Sequence, residues 1–463
     1  MRRFIAGLLL CAAAAPLSAD TGINPSMTAT AERLMASAQA QNVGYEVLSS
    51  LTTEVGPRLA GTPAEARARD WAVNTLGELG FSNVRVEEFQ VPLWVRGVER
   101  AEILSPFPQP LTVTALGGSV ATPAEGVSGE VVAVPSLAAL AEMEQGSLAG
   151  KILFIDEPMS RARDGSGYSV AVAKRREAAY VAQELGALAV LIRSVGTSSH
   201  RFPHTGQMRD IDYNEPRGVP AAALTAPDAD QLRRALQRAE KVRVQLTLTP
   251  ETLPPSTSGN VIAEIPGREA PQEIVLVGAH LDSWDLGTGA VDDGAGVAIV
   301  VAAAKVLLEE LPQAPRRTIR IVLFGSEEVG LVGAAAYTRR YAEQLSRHVI
   351  ATESDFGAGD IWRFDTGMPE SALPAAHAIG RVLEPLGIAP GENTASGGPD
   401  ITFLREAGVP VVDLYQDGID YFDYHHTPND TLDKIAPGDL DQNVAAYAAL
   451  MYLVAESAVD FRR

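Results

Sequence analysis

The sequence predicts an α/β protein: a mostly parallel sheet sandwiched between helices, with a smaller α/β insert. Three observations carry this. From about residue 258 to the end, short β-branched runs alternate with apolar helical patterns, the rhythm of parallel strands joined by helical crossovers. Clusters of Asp, Glu and His follow the ends of successive strand-like runs. Between about 115 and 250, a second group of short strands and one good helix interrupts the rhythm. At 463 residues, two or three domains are expected.

The first nineteen residues read as a secretory signal. Arg2 and Arg3 precede an apolar stretch, 4–15, and Leu17-Ser18-Ala19 offers a small-residue cleavage site. About twelve apolar residues are too few to span a bilayer. A secreted or periplasmic protein is therefore expected, with no membrane attachment once the signal is removed. The only cysteine, Cys11, falls in this segment, so the mature chain should have neither disulfide nor thiolate chemistry. A net charge of −20 argues against nucleic acid or an anionic membrane as partner.

Residues 20–114 read as the N-terminal part of the main domain. The polar, alanine-rich stretch 20–40 suggests a helix, and 55–62 a turn-rich loop. Thr62 can cap the next helix, with Pro63 at its first position and Glu65 three residues after the cap. Gly80 ends that helix after Leu79. Residues 83–91 roughly alternate and predict a strand stopped by Pro92. The insert is placed at 115–254. Strands are expected at 129–134, 151–156 and 187–192, and a helix at 172–185 ended by Gly186. His200 and His204 lie four apart beside Pro203 and Gly206, which favours loop packing over metal binding. With two prolines, 252–257 reads as a linker.

Residues 255–463 form the remaining unit. Strands are expected at 261–265, 274–277, 318–324, 348–353 and 409–414, and helices at 297–311, 334–341, 373–386 and 440–455. His348 opens a strand, and His377 reads as packed within its helix.

Five polar segments carry the chemistry: His280-Leu281-Asp282, Asp292-Asp293, Ser326-Glu327-Glu328, Glu353-Ser354-Asp355 and Tyr424-His425-His426-Thr427-Pro428-Asn429-Asp430. Each alone has a bland reading. Adjacent acids often begin a solvated helix, and a Ser-Asp after a strand is often a cap. Together they recur where an open α/β sheet gathers its loops. One imidazole with carboxylates is the usual donor set of a hydrolytic zinc site. Gathering so many carboxylates is costly without a cation, and two divalent ions with a bridging carboxylate would offset it. Asp400 reads as a helix cap before Ile401, and Trp284 as pocket wall or core.

The strings GAHLDSWDLGTGAVDDGAG, FGSEEVGLVGAAAY, ESDFGAG and YHHTPNDT, with GPRLAGT near the start, resemble the co-catalytic zinc exopeptidases of the aminopeptidase and carboxypeptidase Q type. The resemblance covers nearly all of the mature chain. It implies a zinc-exopeptidase fold, a protease-associated insert, two Zn2+ per chain, a peptide substrate and a homodimer. It also implies roles: Asp292 bridges the metals, His280 and Asp355 complete one site, and Glu328 and His426 complete the other. Glu327 is the general base, and Asp282 orients His280. Many relatives carry tyrosine directly before the last histidine ligand to hold the oxyanion. Here His425 stands there and Tyr424 one residue earlier, so either is a candidate donor. The expected activity is hydrolysis of dipeptides or short peptides by metal-activated water. The alternatives are an aminopeptidase on longer peptides, a single-zinc glutaminyl-cyclase-like transferase, and a binding module on a dead peptidase scaffold. A five-ligand set exceeds what one zinc needs, and loss of ligands would mark the dead scaffold; none is missing.

Overall fold

The computed structural model of the chain describes residues 21–209 and 217–463. The signal-like segment, 1–19, lies outside them. Two eight-stranded sheets organise the rest.

At the centre of the first sheet, Arg317–Phe324, Ala270–His280, His348–Glu353 and Val411–Gln416 lie side by side and parallel. Antiparallel strands flank them, Glu251–Ile265 and Ser82–Val95 on one side and Ile361–Gly367 on the other. The central runs are continuously apolar because both faces are covered. Val275, Val277 and Ala279 point into a core shared with the helices Ala295–Glu310, Asp441–Glu456 and Pro25–Ala38. Ile274 and Leu276 point the other way, toward Tyr337 and Leu404. The period of two thus feeds two cores, one on each side of the sheet.

Local signals set several helix starts. The Asn24 side chain accepts from the Met27 N–H at 3.0 Å and starts Pro25–Ala38. Thr62 accepts from the Glu65 N–H at 3.3 Å and starts Pro63–Glu78. Two expectations at prolines differ from the structure. The strand expected to stop at Pro92 continues to Val95, and 252–257, read as a linker, is paired strand. The register shifts between Val91 and Leu93, opposite Ser256 and Leu253, so Pro92, Pro254 and Pro255 all sit in one bulge. Glu251–Ile265 pairs with Arg317–Phe324 only from Val261 onward, so the proline end of the ribbon has no second neighbour. Missing N–H donors are tolerated there.

This two-stranded ribbon leads to the second sheet. Its strands run in the order Gln109–Leu111, Glu99–Ser105, Arg243–Leu248, Val127–Val134, Lys151–Ile155, Ala189–Arg193, Ala221–Leu224 and Val113–Ala115. The sheet therefore takes in residues from Glu99 onward, ahead of 115. Half-exposed, Glu-bearing Glu99–Ser105 carries little β-branched signal. Helices Ser166–Glu184 and Ala226–Arg238 cover its opposite faces. The first begins earlier than the expected 172, because Gly167 and Ser169 mask its first turns. Among the described residues, no helix is long and apolar enough to cross a membrane.

Candidate metal centre

The parallel strands end together, and their ends carry the acids and histidines. His280 closes Ala270–His280, Glu327 and Glu328 follow Arg317–Phe324, and Asp355 follows His348–Glu353. Asp292 precedes the helix Ala295–Glu310, joined to Asp293 by a cis peptide bond. His426, with φ of 61°, follows the short helix Tyr421–Tyr424.

Their side chains converge. His280 Nε2 lies 3.1 Å from Asp292 Oδ1 and 3.5 Å from Asp355 Oδ1. His426 Nε2 lies 3.2 Å from Asp292 Oδ2 and 2.9 Å from Glu328 Oε2. The two oxygens of Asp292 thus face two different histidines. The groupings His280–Asp292–Glu328, His280–Asp293–Asp355 and Asp292–His425–His426 are each compact enough to hold a metal ion.

The surroundings fix the imidazole tautomers. His280 Nδ1 is 2.9 Å from the Asp282 backbone carbonyl, so Nδ1 carries a proton and Nε2, facing Asp292, is the nitrogen left to bind a metal. The Asp282 carboxylate stands farther off, 3.8 Å from Nδ1. Its oxygens accept the N–H groups of Glu327 at 3.0 Å and Glu328 at 3.4 Å. Asp282 therefore orients His280 through its main chain, while its carboxylate pins the turn bearing Glu327. His426 Nδ1 faces the Thr205 carbonyl at 3.3 Å, which leaves its Nε2 free for a metal.

Sequence reasoning missed Arg58 and gave Asp293 and Asp430, though in its polar segments, no role of their own. Arg58 of the GPRLAGT loop is fully buried and donates to three carbonyls of the 281–289 loop. A lone arginine among apolar and turn residues was the available signal. Asp430 accepts the N–H groups of Val291 at 2.6 Å and Asp292 at 3.2 Å. Burial, then the charge of Asp292, lifts its carboxyl to about 7. Asp293 accepts the His280 N–H at 3.1 Å. The insert also grips the loop that bears His425 and His426. Buried His204 places Nδ1 2.7 Å from the His425 carbonyl, and the Thr205 N–H donates to the His426 carbonyl at 3.0 Å. The loop-packing expected of His204 thus falls on the His425–His426 turn.

Electrostatically the cluster lacks positive charge. Burial lifts Glu327, Glu328 and Asp355 above the carboxylate range, with like charges adding to it. Burial pulls His280 down, but Asp355 and Asp292 outweigh it and hold the imidazole well above its ordinary value. His426 is held at about 9, where Glu328 and Asp292 overcome burial. Asp292 Oδ2 and Glu328 Oε1 are buried without a hydrogen-bond partner. Orphaned carboxylate oxygens beside imidazole nitrogens fit a divalent cation, which would displace the imidazole protons and supply the missing charge and bonds together.

A cavity of about 550 Å3 opens over the cluster. Glu327, Glu328, Asp292 and Asp355 form its floor, and the insert supplies the opposite wall. His425 lines it, stacked on His426 at 3.5 Å between ring centroids, whereas Tyr424 faces a different cavity. Of the two candidate oxyanion donors, only His425 reaches this space. Buried Tyr421 lines it as well. Trp284 packs under the loop, 5.8 Å from the His426 ring, in the insert core. Asp400 does not cap the helix after it. It is fully buried with both oxygens unpartnered, and its N–H donates to Glu353 at 2.9 Å. His377 is exposed on its helix rather than packed within it.

Comparison with known proteins follows the same outline. The model of peptidase family M28 matches residues 260–451. Human carboxypeptidase Q is 36% identical over 422 residues, covering 90% of this chain and 86% of that one. The crystal structure of a peptidase M28 precursor from Shewanella amazonensis SB2B is 51% identical, with a TM-score of 0.92 over 95% of this chain and 98% of that one. A zinc aminopeptidase structure from Bacillus subtilis shares the fold at 22% identity, with a TM-score of 0.63, covering 90% of this chain and 98% of that one.

Proposed function

The chain belongs to peptidase family M28, and from that premise we propose an exported two-zinc exopeptidase that hydrolyses dipeptides or short peptides. The observation that carries this reading is Asp292, whose two oxygens lie 3.1 and 3.2 Å from the imidazoles of His280 and His426. In this reading Asp292 would serve two ions, His280 and Asp355 would help to hold one, and Glu328 and His426 the other. Carboxylate and imidazole donors suit zinc. The secretory signal in the sequence and the cysteine-free mature chain support export. The catalytic unit is assigned to the first sheet with its helices, and the protease-associated insert to the second sheet, which begins at Glu99 and not at 115 and ends with Arg243–Leu248.

Two bound divalent ions would polarise the scissile carbonyl and lower the pKa of a water toward neutrality. The chain's own residues do the rest. Glu327 lines the cavity beside Glu328, and the Asp282 carboxylate holds its backbone N–H at 3.0 Å. Its carboxylate takes a proton from the attacking water and returns it to the departing amine. His425, stacked on His426, faces the same space and is the donor placed for the developing oxyanion.

Metal content of the purified mature protein, measured by mass spectrometry alongside hydrolysis of a small dipeptide panel, tests this reading. Wild type is expected to hold close to two zinc ions per chain. Glu327→Gln should keep them and lose about 10²–10⁴-fold in kcat. A wild type that neither binds added zinc nor cleaves any dipeptide would overturn the reading and leave a binding module.

A further inference from the structure

Arg96 stands at the junction where the ribbon strand Ser82–Val95 passes into the insert strand Glu99–Ser105. Its side chain is 11% exposed. One edge of the guanidinium, Nε and one Nη, meets the Asp285 carboxylate bidentately, at 2.8 Å for each bond. The other Nη donates to Glu99 at 2.7 Å and to the Ala115 carbonyl at 2.9 Å, both in the insert. The Nη that meets Asp285 also donates to the Thr205 hydroxyl at 3.2 Å. A planar fork with fixed donor directions holds such partners in one geometry, which a flexible ammonium cannot do.

Asp285 and Thr205 lead to different halves of the acid–imidazole cluster. Asp285 belongs to the loop between His280 and Asp292. Beside it Trp284 plugs into the insert core, so near Gly117 that a Cβ there would stand 2.2 Å from the ring. Thr205 clasps His426 from behind. Its N–H donates to the His426 carbonyl at 3.0 Å, and its own carbonyl faces His426 Nδ1 at 3.3 Å. The Thr205 hydroxyl donates in turn to the Ala115 carbonyl at 2.8 Å. The chain of contacts Asp285–Arg96–Thr205–His426 thus crosses from the first sheet to the insert and back. His280 is held differently. It closes a central strand, the Asp282 carbonyl orients its Nδ1 at 2.9 Å, and Arg58 holds its loop at three carbonyls.

We propose that Arg96 is a positioning residue that makes one of the two metal sites, the one at His426 and Glu328, depend on the insert. This rests on the two-zinc reading above. With the fork in place, Thr205 keeps His426 Nε2 turned toward Glu328 and Asp292. Without it, Asp285 loses its partner, the insert is free to shift against the loop, and Thr205 no longer holds the imidazole at one angle. Zinc at His426 and Glu328 then weakens. Zinc at His280 and Asp355 stays, because the first sheet and Arg58 hold those residues. Groups that orient a metal-binding imidazole are worth about 10–100-fold in metal affinity. The insert therefore acts on the metal centre from behind as well as walling the cavity above it.

Calorimetric titration of zinc into the metal-stripped mature protein reads both sites, with far-UV circular dichroism as the check of folding. Wild type should take up two ions. Arg96→Met should bind one as wild type does and the other about 10–100-fold more weakly. Arg96→Lys keeps the charge without the fork and should recover part of that loss. In a His426→Ala background, where the dependent site is already broken, Arg96→Met should change nothing further. Equal weakening of both ions in Arg96→Met, or of neither, would overturn the positioning role and leave the two-zinc reading standing. So would a further loss in the His426→Ala background, since that marks general damage. Should Arg96→Met fail to fold, Asp285→Asn carries the same test, because it removes only the charge of a partner that is 27% exposed. Weakening confined to one ion supports the proposal there, and weakening of both or neither overturns it. A wild type that binds fewer than two ions would overturn the two-zinc reading and this inference with it.

Discussion

The Arg58 guanidinium donates to the carbonyls of Leu281, Thr288 and Gly289 at 2.5, 2.7 and 3.0 Å, and it is fully buried. Those carbonyls belong to the loop between His280 and Asp292, so one side chain from residue 58 sets the spacing of two residues of the acid–imidazole cluster. Replacing it by methionine leaves three buried carbonyls without donors. Arg58→Met should destabilise the fold by about 3–5 kcal/mol, read as a lowered urea midpoint, and should weaken zinc binding in parallel. An unchanged midpoint would mean that water replaces the guanidinium. Glu327 and Asp282 were legible as residues because each lies in a dense polar motif. Arg58 was not, because an isolated arginine in sequence looks the same whether it is solvated or buried.

His348 opens the strand His348–Glu353, as its place before a β-branched run suggested, but its environment is tertiary. Its Nε2 lies 2.8 Å from the Tyr337 hydroxyl and its Nδ1 3.2 Å from the Gln344 carbonyl. Arg320 donates to the same hydroxyl at 2.9 Å. Burial, then the charge of Arg320, pulls the imidazole down from 6.5 to about 4. The unfolded chain therefore binds a proton first as pH falls. The neutral imidazole contributes stability that is fully present above pH 6.5 and is lost between 6.5 and about 4, on the order of 3 kcal/mol. His348→Gln should flatten that part of the stability–pH curve, measured by urea unfolding across the window. An equal acid slope in both proteins would sink the assignment. At the same scale, capped helices such as Pro63–Glu78 were readable to within a residue or so, because Thr62 and Gly80 act locally. The ribbon through Pro92, Pro254 and Pro255 was not. A proline forbids a hydrogen bond only where a neighbour would have accepted it, and the neighbours are set by the fold.

Across the whole molecule, the metal centre joins three separate parts of the chain. The N-terminal loop supplies Arg58, the first sheet supplies the acids and histidines, and the insert holds the His425–His426 turn through His204 and Thr205. Bound metal should therefore stabilise the assembly. Chelation should lower the unfolding temperature by several degrees, and excess zinc should restore it, with about 4 kcal/mol at a thousandfold excess over Kd. Calorimetry with and without chelator measures this directly. A metal-independent transition would mean that the buried acids are balanced within the protein itself.

Strand-ending polar motifs, capping residues and the βα rhythm act over a few residues, so the sequence alone determined the fold class, the positions of the strand ends and the identity of the clustered acids and histidines. It could not decide which groups face one another across the cavity. The pairing of Asp292 with both imidazoles, the burial of Arg58, the choice of His425 over Tyr424 at the site and the wall formed by the insert all depend on contacts between residues tens to hundreds of positions apart. Burial and counter-charge are properties of such contacts. They turn an ordinary arginine or histidine into a functional one only when the two sheets close around the same cavity.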